Sequence, residues 1–208
     1  MTAIRGQPPG RTGRVWLKRR LEVADRGSTL LETKMRILAG EQQRFALLAQ
    51  RTQRRWEQTA ADADRWMARA SLLGGRRGLR FADDGRPAQV LLSWDTTMGV
   101  SYPSRGRVVM PDPLPDAPTP AGAALVRARQ AYRAAAVAAV DHAVATAAVA
   151  AVEREMAATR RRLRAIQDRW MPRLEEAGRA VAEALEEQER EEGMRMRWAA
   201  ERLGRRQR

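Results

Sequence analysis

The amino-acid sequence predicts a mainly α-helical fold: a long antiparallel two-helix coiled coil with a small irregular or β-hairpin head in the middle of the chain. Two long segments carry uncharged residues at an alternating spacing of four and three, and a stretch rich in proline and glycine separates them. A repeat of this kind keeps one face of a helix turned towards a partner helix, as in a left-handed coiled coil. Because both segments belong to one chain, we expect them to pair with each other in opposite directions.

The first predicted arm spans residues 14–73 and follows a flexible basic tail at residues 1–13, which is rich in glycine and proline. Sixteen consecutive seam positions of this arm are uncharged, in a segment crowded with arginine, aspartate and glutamate. They are Leu17, Leu21, Ala24, Ser28, Leu31, Met35, Leu38, Gln42, Phe45, Ala49, Thr52, Trp56, Thr59, Ala63, Trp66 and Ala70. Gly74 and Gly75 end the arm, because paired glycines interrupt helices.

Residues 74–120 form the predicted head. The run at 83–87, Asp-Asp-Gly-Arg-Pro, has the composition of a turn, and residues 89–94 and 107–110 have the composition of short strands. Five prolines follow between positions 111 and 120 and keep the chain extended there. We therefore expect a small β-hairpin or an irregular connection.

The second predicted arm spans residues 121–204, with a basic tail end at 205–208. Its uncharged seam consists of Ala135, Ala138, His142, Ala145, Val149, Val152, Met156, Thr159, Leu163, Ile166 and Trp170. This arm is about 20 residues longer than the first, so it is expected to overhang the first arm by about 30 Å. Pro172 lies inside it, where the seam also steps irregularly, and this combination predicts a bend of the helix.

The formal net charge of +14 divides into +8 on residues 1–73, +1 on residues 74–120 and +5 on residues 121–208. This balance favours an anionic partner, and a basic coiled-coil protein that binds nucleic acid, or a scaffold protein, is an alternative interpretation of the chain. Residues 183–192 hold six glutamates, and residues 195–208 hold six arginines. Such a pattern is typical of a solvated helix end, or of a tip that sits within another protein's sleeve.

Motifs for chemistry are absent from the sequence. It contains no P-loop, no His-Glu-x-x-His motif, no cysteine and a single histidine, His142, at a seam position. We therefore expect no catalytic residue, no metal site and no cofactor. The apolar run at 134–152 is long enough to cross a bilayer, but Asp141 and His142 at its middle argue against a membrane span.

Three groups of residues resemble the D subunit of the V-type and A-type rotary ATPases, in the order in which that family carries them. The first arm matches at Leu17-Lys18-Arg19-Arg20-Leu21, Gly27, Leu30-Leu31 and Lys34, and the centre matches at Met98-Gly99-Val100-Ser101-Tyr102-Pro103. The second arm matches at residues 159–163, 171–176 and 187–192. Departures from the family pattern are Trp170-Met171 before Pro172 and the alanine-rich stretch at 121–151.

The resemblance implies a central rotor shaft without a catalytic site of its own. A ring of three catalytic A and three regulatory B subunits would surround it, a small F subunit would bind alongside, and a C-type or d-type socket would connect it to the membrane rotor. The shaft would couple ATP synthesis or hydrolysis to proton or sodium transport. It would be cytoplasmic and peripheral to the plasma membrane, with no direct contact to nucleotide or nucleic acid.

Ten residues are the candidate partner contacts, chosen from the family segments and the basic ends of the arms. They are Lys18, Arg19, Arg20, Met98, Gly99, Val100, Arg195, Arg197, Trp198 and Arg202.

Overall fold

The computed structural model describes residue 4 and residues 6–82, 85–111 and 122–206. Helix α1 spans Gly10–Ala82, strand β1 spans Gln89–Thr97 and strand β2 spans Val100–Val109. Helix α2 spans Ala123–Arg164, a π-helical segment spans Ala165–Trp170, and helix α3 spans Met171–Arg206. The strands pair as one antiparallel hairpin. The predicted fold class, a helical chain with a small hairpin in the middle of the sequence, is confirmed.

The ends of the elements differ from the predicted boundaries by a few residues. Helix α1 begins at Gly10, within the predicted tail, and α3 continues to Arg206. Gly75 adopts φ 58° and ψ −174°, so it interrupts the helix where the paired glycines were expected to end it, and a short helix then continues to Ala82. Glycine tolerates this conformation because it has no Cβ. The expectations for residues 83–84 and 112–120 lie outside the described residues.

The chain forms two compact units by its internal contacts. One, here called the terminal unit, comprises Met1–Met35 and Ala158–Arg208; the other, the central unit, comprises Arg36–Ala157. Helix α1 contributes to both units.

In the central unit α1 and α2 run antiparallel, joined by polar bonds across their seam. The Nε2 of Gln42 donates to Glu153 at 3.2 Å, and the hydroxyl of Tyr132 donates to Asp64 at 2.9 Å. Residue numbers rise on one helix as they fall on the other, which is the direction predicted for the two arms.

His142 lies half-buried in the central unit, as expected of a seam histidine. Its ring stacks on that of Trp56, with centroids 5.5 Å apart and an interplanar angle of 16°, and its Nδ1 lies 3.5 Å from the hydroxyl of Thr52. The neighbouring Asp141 forms an ion pair with Arg55 at 3.9 Å. Both polar residues in the apolar run of α2 therefore have partners on α1.

The hairpin packs on the central unit through β2. Val100 and Tyr102 join Leu38 and Val152 in one buried cluster, and the ring of Tyr102 meets that of Phe45 edge-on, with centroids 4.8 Å apart. These contacts fasten the hairpin to both helices of the unit.

Gly106 marks a second close contact between β2 and α2. A Cβ at this position would collide with Cγ1 of Val140 and lie 3.1 Å from Cγ2 of Val144. The two valines are one helical turn apart, so they present one ridge to the strand. Absence of a side chain at Gly106 is what allows the backbone to approach this ridge.

The terminal unit has its own buried cluster. Leu17 and Ala24 of α1 pack against Leu174 and Ala177 of α3, and half-buried apolar residues surround them. These are Ile4, Trp16, Leu21, Ile166, Trp170, Met171 and Val181. Fifteen of the sixteen seam positions of the first arm, and all eleven of the second, are buried or half-buried; the exception is Trp56.

A π-helical segment precedes Pro172 in the terminal unit. The N–H of Met171 donates to the carbonyl of Ile166, five residues back, in place of the usual four. Proline has no N–H to donate and its ring clashes with the carbonyl four residues back, so the regular α-helical hydrogen bonding is interrupted here. The bend at Pro172 stays a prediction, while the change of helix type occurs next to it.

By length and composition alone, one described helical stretch, Ala123–Arg202, contains a window apolar enough to cross a membrane. Core helices of soluble proteins pass the same test, and a third of this window is buried against the rest of the chain.

Candidate partner-binding site

The first group of candidate contacts lies on the outer side of α1 in the terminal unit. Lys18, Arg19 and Arg20 are exposed, because the seam spacing directs the neighbouring Leu17 into the core. The guanidinium of Arg20 lies 4.8 Å from the centre of the Trp16 ring, a cation–π contact that restrains the side chain. The three basic side chains thus lie on the exposed face of a helix whose opposite face is packed in the core.

The second group lies at the end of α3. Arg11, near the start of α1, forms an ion pair with Glu189 at 3.0 Å, so residues 190–206 extend beyond α1 by about 25 Å. We call this segment the α3 tip. Met194, Met196 and Trp198 are exposed on it.

Local contacts order the basic side chains of the α3 tip. Arg195 pairs with Glu191 at 3.4 Å, and Arg197 donates from Nε to the carbonyl of Gly193 at 3.2 Å. The guanidinium of Arg202 lies 4.1 Å from the centre of the Trp198 ring. The arginines and the tryptophan therefore form a mixed cationic and apolar surface suited to another protein.

The third group forms the turn of the hairpin in the central unit. Met98 and Gly99 both have positive φ, 51° and 78°, as required by a two-residue type I′ turn. Met98 is exposed, whereas Val100 is only 7% exposed and lies in the buried cluster. Val100 is therefore a core residue, and Met98 and Gly99 are the accessible part of this group.

Within the terminal unit, the structure does not gather the first two groups into one site. The Arg11–Glu189 ion pair and the Gln167–Glu32 hydrogen bond place Lys18, Arg19 and Arg20 level with about Val181, and along α3 the distance from Val181 to Arg195 is about 20 Å. The arginines of α1 and those of the α3 tip are therefore separate surfaces.

Strand β1 was missed as a candidate contact. Its apolar side chains Val90, Leu91, Leu92 and Trp94 are exposed, although the sequence pattern of a strand favours burial of at least one face. No signal in the sequence distinguishes this strand from one that is covered by its own chain.

Helices that pair along an uncharged seam, with a two-stranded hairpin packed on them, define a coiled-coil protein. Among the described residues, no group of histidine, cysteine, aspartate and glutamate side chains could hold a metal ion.

The sequence matches the family of the ATP synthase D subunit over residues 15–201. The chain therefore belongs to this family, and it is a component of a rotary ATPase of the V/A type. A search among curated proteins found no match.

Proposed function

We propose that the chain is the central rotor shaft of its ATPase and transmits torque between a catalytic ring and a membrane rotor. Membership of the D-subunit family carries this proposal. Helix pairing supports it mechanically: two helices that bury a continuous seam resist twisting better than one. The chain itself supplies no catalytic group in this proposal, and ATP synthesis or hydrolysis takes place in the ring.

The α3 tip is the part that we assign to the ring of three A and three B subunits. Its exposed arginines and Trp198 offer contacts that differ around the helix axis. A shaft that presents different side chains to each ring interface shifts each interface differently, since a partner changes a conformational equilibrium only through differential contacts. Rotation of the tip would thereby drive the interfaces through their states in sequence.

The remaining contacts are assigned to the other neighbours in the complex. Lys18, Arg19 and Arg20 face the lower part of the ring, and Met98 with Gly99 faces the small F subunit. A C-type or d-type socket connects the chain to the membrane rotor, which moves protons or sodium ions. The complex holds the chain at the cytoplasmic side of the plasma membrane.

Two measurements test this proposal. Affinity purification of the tagged chain from its native host should recover two larger nucleotide-binding subunits in equal amounts, three of each per chain. Recovery of nucleic acid alone, lost at high salt, would instead support the alternative of a nucleic-acid-binding coiled coil.

The second measurement compares ATP hydrolysis with ion pumping in membrane vesicles. Reversal of charge at Arg195, Arg197 and Arg202 to glutamate should lower the number of ions pumped per ATP, because the ring would hydrolyse ATP without rotating the shaft. The same reversal at Arg36, Arg51 and Arg54 of α1, which are exposed, is the matched control. Unchanged pumping per ATP in the tip variant would contradict the assignment of the tip to the ring.

A further inference from the structure

Strand β1 is exposed along almost its whole length. Eight of its nine residues are exposed and the ninth, Thr97, is half-buried. Exposed fractions are 55% for Leu91 and 59% for Trp94. Soluble proteins protect a strand of this length with charges, proline, bulges or a covering element, because its free N–H and C=O groups otherwise recruit another strand. The only charged residue in β1 is Asp95.

The two strands of the hairpin differ in how their free edges are protected. Strand β2 carries Pro103 and an extra residue, Ser104, since Ser93 pairs with Arg105 and Trp94 pairs with Pro103. Proline lacks a donor, and a bulge twists the edge away from a flat partner. Strand β2 also packs on the helices through Tyr102. Strand β1 has neither device, and in the described part of the chain β2 is the only strand that pairs with it.

We propose that the free edge of β1 accepts an extended apolar segment with acidic side chains from a neighbouring subunit, which adds a third strand to the hairpin. Main-chain hydrogen bonds would give affinity and the side chains would give specificity, as in other cases of strand addition. The exposed Leu91 and Trp94 supply apolar contacts for the added strand.

Charge favours an acidic segment opposite Leu91 and Ser93, at the end of β1 that is farther from Asp95. Arg107 lies opposite Leu91 and Arg105 lies opposite Ser93, and both arginines are exposed. Neither forms an ion pair with another described residue. A third strand would lie about 9.6 Å from β2, two strand spacings away, which is within reach of an arginine and a glutamate side chain together. Basic side chains on the added strand would meet these arginines as like charges.

This inference depends on the proposed function only for the identity of the neighbour, which we take to be another subunit of the ATPase. The peptide measurement below tests the edge on the isolated full-length chain. Affinity purification of the ring subunits tests the shaft separately, so either proposal can fail without the other.

The probe is a short capped peptide of alternating valine and threonine with a glutamate at each end. Its binding is followed by amide hydrogen exchange and by NMR shifts of β1. We expect the amides of β1 that point away from β2 to exchange at least about tenfold more slowly with this peptide. A peptide N-methylated at alternate amides, which cannot pair, should bind at least about tenfold more weakly. Equal binding of the two peptides would overturn the proposal, and this comparison needs no variant.

Two substitutions locate the binding surface. Leu91→Asp should weaken peptide binding by about tenfold, because it removes an apolar contact and adds a negative charge that repels the glutamates of the peptide. Leu30→Asp, at an exposed leucine of α1 in the terminal unit, is the matched control and should leave binding unchanged. Binding that is unaffected by Leu91→Asp, or equally reduced by both substitutions, would overturn the proposal.

Charge preference and self-association complete the test. The unmodified chain should prefer the glutamate peptide over one with lysine ends, and Arg107→Glu should reduce or reverse this preference. Equal binding of these two peptides to the unmodified chain, or a preference that Arg107→Glu leaves unchanged, would contradict the acidic character of the partner. Reversible dimerisation that the peptide competes away would identify a second copy of the chain as the occupant and would overturn our assignment.

Discussion

Docking of the hairpin on α2 depends on the absence of a side chain at Gly106. A methyl group there would collide with Cγ1 of Val140 and press on Cγ2 of Val144. Val144 is buried, so it has little room to move away. Overpacking of this kind typically costs about 1–3 kcal/mol. We therefore expect Gly106→Ala to loosen the hairpin by about this amount.

Amide hydrogen exchange measures this effect locally. A loss of about 1–3 kcal/mol corresponds to roughly 5-fold to 150-fold faster exchange at the amides of β2, since each 1.4 kcal/mol is a factor of ten. If the hairpin unfolds together with the helices, the thermal midpoint should fall by about 2–4 °C for each kcal/mol.

Two further variants separate the steric explanation from a general loss of stability. Val140→Ala in the Gly106→Ala background removes the methyl groups that collide, so the double variant should recover at least about 1 kcal/mol relative to the sum of the single variants. Gly27→Ala makes the same substitution in α1, where a new Cβ meets nothing within 4 Å, and should stabilise the helix by about 0.5–1 kcal/mol. Unchanged exchange in Gly106→Ala, or additive effects in the double variant, would refute this account of hairpin docking.

Three other predictions concern the turn, the arms and the core. Met98 adopts φ 51° in a two-residue turn that favours asparagine or glycine, so Met98→Asn should slow exchange in the hairpin by several-fold, and faster exchange would contradict the turn assignment. The hydrogen bond to Asp64, followed by burial and by the charge of that carboxylate, raises the pKa of Tyr132. The folded state therefore favours the neutral phenol. This stabilisation of the fold is present below pH 10 and is lost as pH rises through the raised pKa. Tyr132→Phe should remove that alkaline loss, seen as a smaller fall in thermal midpoint between neutral and alkaline pH than in the unsubstituted chain. Leu38→Ala should lower the free energy of unfolding by about 2–5 kcal/mol in denaturant titrations, because Leu38 is fully buried. Leu47→Ala, at an exposed position of the same helix, should lower it by less than about 1 kcal/mol. Equal losses would show that the seam is misplaced.

The seams were predictable because each position is decided locally. An apolar residue that recurs at the coiled-coil spacing has one way to leave water, and the structure buries Leu17, Leu38 and Val152 accordingly. Trp56 departs from this pattern because its ring stacks on that of His142 and leaves part of its own surface in contact with water. The overhang of α3 was predictable from the lengths of the two arms, since the second is about 20 residues longer than the first.

The hairpin was predictable only in outline. Its turn falls at Met98 and Gly99, but methionine is an uncommon residue at positive φ, so the sequence did not mark it. Tyr102 is buried by Phe45, which lies far away along the chain, and no local pattern predicts that contact. Val100 was a candidate contact on family resemblance and is instead a core residue, because the strand faces the helices at that position.

The π-helical segment shows a different limit of sequence reasoning. Pro172 and the irregular seam step indicated a disturbance, but the compensating change begins before the proline, at Ala165. A missing donor can be accommodated by several local rearrangements of similar free energy. The segment also contacts the other arm, since Gln167 donates to Glu32 of α1 at 2.7 Å, and no local sequence pattern records that contact.

The candidate site that depends least on the rest of the chain is the α3 tip, and this independence is itself an argument for a partner. Its helix is held by ion pairs such as Arg190–Glu186 and Arg195–Glu191, each worth about 0.3–0.5 kcal/mol. The cation–π contact of Arg202 with Trp198 adds about 0.5–1 kcal/mol. Isolated helices of this length are marginal in water, because most helix stability in proteins comes from a packed face. Met194 and Trp198 lie one helical turn apart on one face of the helix, and both are more than half exposed, so they offer the apolar surface that such packing requires. A surrounding sleeve of other subunits would bury these side chains, and for that reason the proposed function places the tip in the ring.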